Sequence, residues 1–124
     1  MAQPKEISVR LPEDVMMPVL EQDQQRLYMA PGYEIMLETL SSGDLNATIR
    51  SLSGYEREHL TVFKTRQEDA DRYDFVWTAA GENGERLGRA VILDDGDYHY
   101  CMSVLRDTTV QTVWQDVFGS FALV

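Results

Sequence analysis

Apolar and polar positions alternate along much of the chain, as they do in strands whose two faces meet different surroundings. The segments that alternate in this way, or that are rich in β-branched and aromatic residues, are 7–11, 26–30, 33–40, 61–65, 73–80, 85–94 and 97–105. Because tight turns join several of these segments, they predict a mostly antiparallel sheet of about six strands.

The dipeptide Asp95-Gly96 separates two apolar runs and is a strong local signal for a β-hairpin. A two-residue loop at this point places Leu93 opposite Tyr98, and the register continues from there along both strands. Both sides of the hairpin are apolar. We therefore expect both faces of the sheet to be covered by a further layer.

Two segments have the spacing of amphipathic helices. In the first, Leu45, Ile49 and Leu52 recur at helical intervals, and Gly54 suits the position just past the end of a helix over 44–53. The second is capped by Asp107 or by one of the two threonines that follow it. Its apolar stripe consists of Val110, Val113, Trp114, Val117, Phe118 and Phe121.

These elements together predict an α+β fold in which helices cover both faces of the sheet, an α/β/α sandwich. We place the helix at 44–53 over one face and the C-terminal helix over the other. The length suits a single domain over residues 1–124, with residues 1–6 loosely ordered because they are polar and terminal.

The charge balance restricts the classes of partner. The chain has 21 acidic and 11 basic residues and a formal net charge of −10. A strongly acidic surface opposes binding to nucleic acid and to anionic lipid, and no apolar run approaches the ~20 residues that span a bilayer. We therefore expect an unknown protein or small-molecule partner, no nucleic acid, no direct membrane insertion and no cofactor.

His99 and Cys101 are the residues most suited to covalent chemistry. In a strand they share one face at about 6.6 Å, whereas a nucleophile and its base lie within about 3.2 Å of each other. Two interpretations stay open: a small hydrolase that uses this pair, or a buried thiol near a hydrogen-bonded histidine. Trp77 is either a core side chain or a platform for a ligand. All three are candidate ligand- or partner-binding residues, and no catalytic residue is assigned.

Asp94, Asp95 and Asp97 crowd a single turn. Calcium takes six to eight oxygen ligands, often from such clusters, so these three residues are candidate ligands of a weakly bound cation. The spacing is not that of an EF-hand, and an Asp-Gly pair is also what a tight turn requires. A structural turn is therefore the competing interpretation.

The second half of the chain resembles a known family. The hairpin carries the sequence Asp-Asp-Gly-Asp-Tyr-His-Tyr at 94–100, and the following helix closes on Ser-Phe-Ala-Leu at 120–123. This pattern is similar to the C-terminal part of PsbP-like domains, over roughly 33–124. Tyr100 and Phe121 match core positions of the pattern, and no catalytic residue comes with them. The resemblance implies an α/β/α sandwich in a bacterial, exported protein, with lipid anchoring through a leader outside this sequence as one form of export.

The leading functional hypothesis is a non-catalytic binding or assembly accessory module of the bacterial cell envelope. Its support is the family resemblance, which is an association with a fold and not with a site. The alternatives are a hydrolase that uses His99 and Cys101 and a cation-binding domain that uses the turn at 94–97. An exported or envelope-associated protein is expected, with a cytoplasmic one as the alternative.

Overall fold

Strands dominate the structure. The computed structural model describes residues 3–15, 18–82 and 84–124. The strands are β1 (Ile7–Ser8), β2 (Leu20–Gln22), β3 (Gln25–Ala30), β4 (Tyr33–Ser41), β5 (Phe63–Gln67), β6 (Ala70–Gly81), β7 (Gly84–Asp94), β8 (Tyr98–Asp107) and β9 (Ala122–Leu123). The helices are α1 (Leu45–Ser53) and α2 (Trp114–Gly119), and a 3-10 turn lies at Arg57–His59.

In the described part of the chain, seven strands form one antiparallel sheet in the order β2-β3-β4-β8-β7-β6-β5. β1 and β9 form a separate two-stranded ribbon that joins the two ends of the chain. Beside it, the backbone amide of Lys5 donates to the Tyr100 hydroxyl at 3.0 Å, and Glu6 exchanges two backbone hydrogen bonds with Val124. These hydrogen bonds hold residues 5 and 6 against the body of the protein.

The hairpin of β7 and β8 forms, but its register differs from the predicted one by two residues. Leu93 lies opposite Tyr100, whereas a two-residue loop places it opposite Tyr98. The loop is longer because the Asp95 carboxylate accepts hydrogen bonds from the backbone amides of Asp97 and Tyr98, at 3.0 and 2.9 Å. Since side chains alternate with a period of two, every residue of the hairpin keeps its predicted face.

α1 forms where its apolar spacing and Gly54 predict it. The Asp44 side chain accepts a hydrogen bond from the backbone amide of Asn46, which satisfies one of the free donors of the first turn. At the other end Gly54 has a φ of 79°, and its amide donates to the Arg50 carbonyl. Local chemistry at both ends therefore fixes the length of this helix at nine residues.

α2 is shorter than the apolar stripe predicts. It spans six residues, and residues 108–113 ahead of it form a turn and an irregular stretch. This stretch contains Thr108, Thr109, Val110, Thr112 and Val113, which are β-branched and disfavour a helix. The second half of the stripe is buried as predicted, whereas Val113 is 62% exposed.

Each face of the sheet carries one hydrophobic cluster. We call the side that contacts α2 the α2 face; its main buried residues are Tyr33, Ile35, Val91, Leu93, Tyr100, Met102, Val104, Trp114, Val117, Phe118 and Phe121. We call the opposite side the α1 face; its buried residues are Ile49, Tyr73, Phe75, Trp77, Ala90, Ile92 and Cys101. The face assignments predicted for the hairpin are thus confirmed.

The α/β/α sandwich is wrong. The protein is mostly β, with about half of its residues in strands, seven strands in the main antiparallel sheet of the described chain and only two short helices. A helical layer needs helices that run the width of a sheet, and neither a nine-residue nor a six-residue helix does so. Among the described residues, neither helix has the length and apolar content of a membrane span.

Candidate functional site

Part of the α2 face is left uncovered. α2 and the N-terminal segment pack over the strands at the centre of the sheet. Towards the edge formed by β5 and β6, Phe63 is 64% exposed and Val76 is 63% exposed, although both point to the same face as the buried core. Two large apolar side chains side by side in solvent mark a surface that a partner or ligand can cover.

A cleft of about 830 Å³ lies over this uncovered region. The residues that line it on the α2 face include Phe63, Val76, Thr78, Leu87, Arg89, Val104 and Arg106. α2 contributes Trp114 and Phe118, and the segment between α1 and β5 contributes Tyr55, His59, Leu60 and Thr61. We refer to this site as the cleft.

Strand register explains how the cleft residues come together. Arg89 lies between Val76 on β6 and Val104 on β8, because all three are cross-strand partners. In the next row along the same face, Leu87 lies between Thr78 and Arg106. Neighbouring rows on one face are two residues apart along each strand, so their side chains point the same way.

The remaining wall of the cleft is attached to the sheet by one hydrogen bond. The Tyr55 hydroxyl donates to the backbone carbonyl of Thr78 at 2.8 Å. Tyr55 follows α1, whose end is fixed at Gly54, so the segment after the helix has a defined starting point. This contact holds the segment beside β6 and gives the cleft its second side.

Arg89 is a charged residue within an apolar strand. Its guanidinium lies over the Phe118 ring, 4.2 Å from the ring centroid, which is the geometry of a cation–π contact. Burial lowers the pKa of Arg89, the Asp74 carboxylate partly offsets this effect, and the neighbouring Arg72 and Arg106 lower the pKa further. Arg89 and Arg106 are the formally charged side chains among the residues that line the cleft.

Arg89 and Arg106 differ from most other basic residues of the chain. Among the described residues, neither has a carboxylate oxygen within 4.0 Å. The basic residues that do have such a partner are Lys5, Arg26, Arg50, Lys64, Arg66, Arg72 and Arg86. Two arginines without ion pairs thus line one cleft of a protein whose net charge is −10.

Trp114 adds an unused hydrogen-bond donor to the same site. The side chain is 7% exposed and contacts Tyr33 edge to face, with ring centroids 5.0 Å apart. Its indole Nε1 is buried and has no hydrogen-bond partner in the described part of the protein. Buried indole N–H groups usually have an acceptor, so this donor is an unsatisfied polar group in the core beside the cleft.

The structure places His99 and Cys101 on the α1 face, and both are fully buried. His99 Nδ1 lies 2.9 Å from the Thr48 hydroxyl, and Nε2 lies 3.3 Å from Asp94 Oδ2 without hydrogen-bond geometry. Burial raises the pKa of the Cys101 thiol, and the negative charge of Glu38 opposite raises it further. A thiol in this environment stays protonated and is a poor nucleophile.

The acidic turn uses the carboxylates of Asp94 and Asp95 internally, whereas the Asp97 side chain is exposed. Asp94 Oδ1 accepts from the Gly96 amide at 2.9 Å, and Asp95 accepts from two backbone amides and from the Tyr100 hydroxyl, the last at 3.1 Å. Burial raises the pKa of Asp95, but these hydrogen bonds and the nearby Lys5 outweigh burial and hold the pKa below its ordinary value. Across residues 3–15, 18–82 and 84–124, no group of three His, Cys, Asp or Glu side chains is arranged to hold a metal ion.

Trp77 is the one sequence-predicted site residue that reaches the cleft. It is among the lining residues, yet its side chain is 7% exposed and belongs to the cluster of the α1 face. Its ring lies against Gly88, where a Cβ atom would be 2.1 Å from the ring. The contact shows why glycine occupies this position of β7, and it indicates a packing role for Trp77.

Sequence reasoning missed Phe63, Val76, Arg89 and Arg106 as site residues, and it interpreted Trp114 as a core side chain first and as a ligand platform second. One signal was present: Arg89 interrupts an apolar run in a strand that is buried on both faces. A charge at such a position either has a buried partner or borders an opening in the core. The other residues are brought together by the sheet and have no common sequence motif.

Comparisons with protein-family models, with curated proteins and with solved structures found no match to this chain. The site is therefore interpreted from its own geometry.

Proposed function

We propose that this protein is a non-catalytic binding module and that the cleft is its ligand site. The observation that carries the proposal is the concave, uncovered region of the α2 face, where exposed Phe63 and Val76 lie beside two arginines without ion pairs. Its volume of about 830 Å³ is within the range of small-molecule sites, which have apolar walls and a few polar groups.

The geometry supports binding better than catalysis. His99 and Cys101 are both fully buried on the opposite face from the cleft, so a substrate bound in the cleft does not contact them. The cleft has arginine, tryptophan and apolar side chains, which bind and orient a molecule, and its side chains of general acid–base type are His59 and Tyr55, of which Tyr55 donates its hydroxyl hydrogen to the Thr78 carbonyl. The hydrolase and the cation-binding domain therefore have less support than a binding module.

The wider context stays a prediction. The resemblance to PsbP-like domains, a role as an assembly accessory and a place in the bacterial envelope are compatible with a binding module, and they have no further support in the geometry. A second cleft of about 910 Å³ lies between residues 10–14, 31–32 and 109–117. Its walls are mainly turns and loops, and its charged lining residues are mostly acidic, so it makes a weaker case for a ligand site.

The proposal is tested with N-phenyl-1-naphthylamine, a neutral apolar fluorophore, titrated into the full chain. We expect saturable binding at one site, weakened by Val76→Thr and by Phe63→Ser because both changes remove apolar contact area. Val19→Thr is the matched control, since Val19 is 61% exposed and does not line the cleft.

Absence of saturable binding, or equal losses in Val76→Thr and Val19→Thr, would contradict the proposal. Sedimentation velocity on the same samples covers a competing occupant of the surface. A dimer that dissociates on Phe63→Ser would show that a second copy of the chain occupies it, and that result would also overturn the proposal of a small-molecule site.

A further inference from the structure

The geometry points to a specific class of ligand. We infer that the cleft binds a small amphiphile with one carboxylate, whose anionic group lies at Arg89 and Arg106 and whose apolar body covers Phe63, Val76 and Leu87. This inference rests on the proposed function, because it names the ligand class of the same cleft. It adds a requirement for negative charge that a merely apolar site does not have.

The first argument is electrostatic. Arg106 is close enough to Arg89 to destabilise its charged form, and no carboxylate lies within 4.0 Å of either among the described residues. Arg72 has the opposite arrangement: its guanidinium binds Asp74 through two hydrogen bonds, of 2.9 and 3.1 Å. Asp74 is thus already engaged by Arg72. A ligand anion supplies the missing negative charge, and guanidinium groups bind carboxylates through paired N–H donors.

The second argument is position. Arg89 on β7 pairs with Val104, so Arg106, two residues further along β8, is its diagonal neighbour on the same face. Diagonal neighbours in an antiparallel pair lie about 7–8 Å apart, which long side chains bridge easily. One carboxylate placed between the two guanidinium groups can therefore accept hydrogen bonds from both.

The third argument concerns the rest of the ligand. The two arginines are on the inner strands of the cleft, whereas Phe63 and Val76 are on β5 and β6 towards the edge of the sheet. A ligand whose charge lies at the arginines must extend over these exposed apolar side chains to fill the cleft. Inorganic phosphate would leave this region in water, and a polyanion is opposed by the net charge of −10.

Trp114 provides a reporter of ligand binding. Its side chain lines the cleft together with both arginines, whereas its buried Nε1 donor has no partner among the described residues. A ligand oxygen can reach this donor only if the side chain shifts, because the nitrogen is shielded from solvent. The fluorescence of Trp114 is then expected to respond to the ligand.

The experiment compares two probes that share an apolar chain but differ in charge, decanoate and decanol, titrated into the full chain below their aggregation concentrations. Each charged hydrogen bond strengthens binding by about tenfold. We expect decanoate, which accepts from two guanidinium groups, to bind about 100-fold more tightly than decanol. Arg106→Gln should reduce this advantage to about tenfold, because Arg89 alone then binds the carboxylate, and it should leave decanol binding unchanged; Arg106→Lys should retain more of the advantage than Arg106→Gln does.

Arg10→Gln is the matched control, because Arg10 is exposed, lies outside the cleft and loses the same charge. Circular dichroism confirms that each variant is folded, and Arg106→Met provides a second neutral variant should Arg106→Gln not fold. Equal affinities for decanoate and decanol would overturn the inference and leave the proposed function intact. Equal losses of decanoate affinity in Arg10→Gln and Arg106→Gln would also overturn it, since a general charge effect would explain them. No binding of either probe or of the neutral fluorophore would overturn both.

Discussion

The hairpin of β7 and β8 has two ends with opposite properties. At the turn, residues 94–99 contain three carboxylates and a histidine, and most of their polar atoms are engaged with backbone amides or neighbouring side chains. At the open end, Arg89 and Arg106 have no ion pair in the described structure, and the surface beside them is apolar and exposed. Polar residues that lie close together in the sequence can thus be largely engaged in hydrogen bonds within the fold, whereas residues that are far apart in the sequence can line one ligand site.

This comparison predicts different costs for substitutions at the two ends. Substituting a side chain that makes hydrogen bonds or core contacts within the protein should lower stability. Substituting a side chain without such contacts should change ligand binding and have little effect on stability. α2 forms one wall of the cleft and packs buried side chains into the core. We therefore expect the largest loss of stability from substitutions in α2.

Phe118→Ala should lower the free energy of unfolding by about 3–5 kcal/mol, because it creates a cavity in the core. Phe118 is fully buried, whereas the nearby Val113 is 62% exposed. Val113→Ala, the control, should cost less than about 0.5 kcal/mol. Urea denaturation measures both. Similar losses of stability in Phe118→Ala and Val113→Ala would contradict the packing of Phe118 in the core and the exposure of Val113.

At the turn, Asp95→Ala should lower the free energy of unfolding by about 2–3 kcal/mol, because hydrogen bonds to a charged group are lost together. Asp97→Ala changes the same residue type two positions away, where the side chain is exposed and makes no hydrogen bond among the described residues. That variant should stay within about 0.5 kcal/mol of the parent protein. A large cost for Asp97→Ala, measured by thermal unfolding, would instead show that the fold also uses the Asp97 carboxylate.

Arg72→Gln and Arg106→Gln extend the comparison to basic residues. Arg72 donates to Asp74 and to the Phe118 carbonyl, and its side chain is 13% exposed, so its loss should cost about 2–3 kcal/mol. Arg106→Gln should leave stability within about 0.5 kcal/mol of the parent or raise it, since repulsion with Arg89 is relieved. A cost above about 1 kcal/mol for Arg106→Gln would show that the fold uses this arginine.

The pH dependence of stability tests whether the charged form of Asp95 stabilises the fold. Because the folded protein holds the pKa of Asp95 below its ordinary value of 3.8, the charged carboxylate stabilises the fold at neutral pH. This contribution is fully present above 3.8 and is lost as the pH falls through the lower folded-state pKa. The stability difference between the parent and Asp95→Asn should therefore be constant from pH 7 to about 5 and narrow at lower pH. A difference that does not change at low pH would contradict the ionic role.

Local chemistry explains which parts of the fold could be predicted from the sequence. α1 has its C-terminal signal in Gly54 and its core residues at helical spacing, and the faces of the hairpin follow from the alternation of its side chains. The register was wrong because the Asp95 side chain lengthens the loop through its own hydrogen bonds. α2 was predicted too long because an apolar stripe does not reveal that β-branched residues ahead of Trp114 oppose the helix.

The site depends on contacts that are distant in sequence. Phe63 and Trp114 line one cleft, yet they are brought there by strand order and by the packing of α2. Asp94, Asp95 and His99 were predicted as site residues because they lie close together in the sequence. In the structure their side chains contact other groups of the protein. Only Arg89 carried a local signal, as a charge inside an apolar strand.

The central claim is that ligand binding occurs at the open end of the hairpin and not at the turn. A two-dimensional ¹H–¹⁵N NMR titration of the full chain with decanoate tests it directly, because each amide and each tryptophan indole reports on its own surroundings. The account predicts shifts of the Trp114 indole and of amides around Val76, Arg89 and Arg106, with residues 94–99 unchanged. Shifts concentrated at 94–99, or none at the cleft when the ligand is in excess, would contradict it.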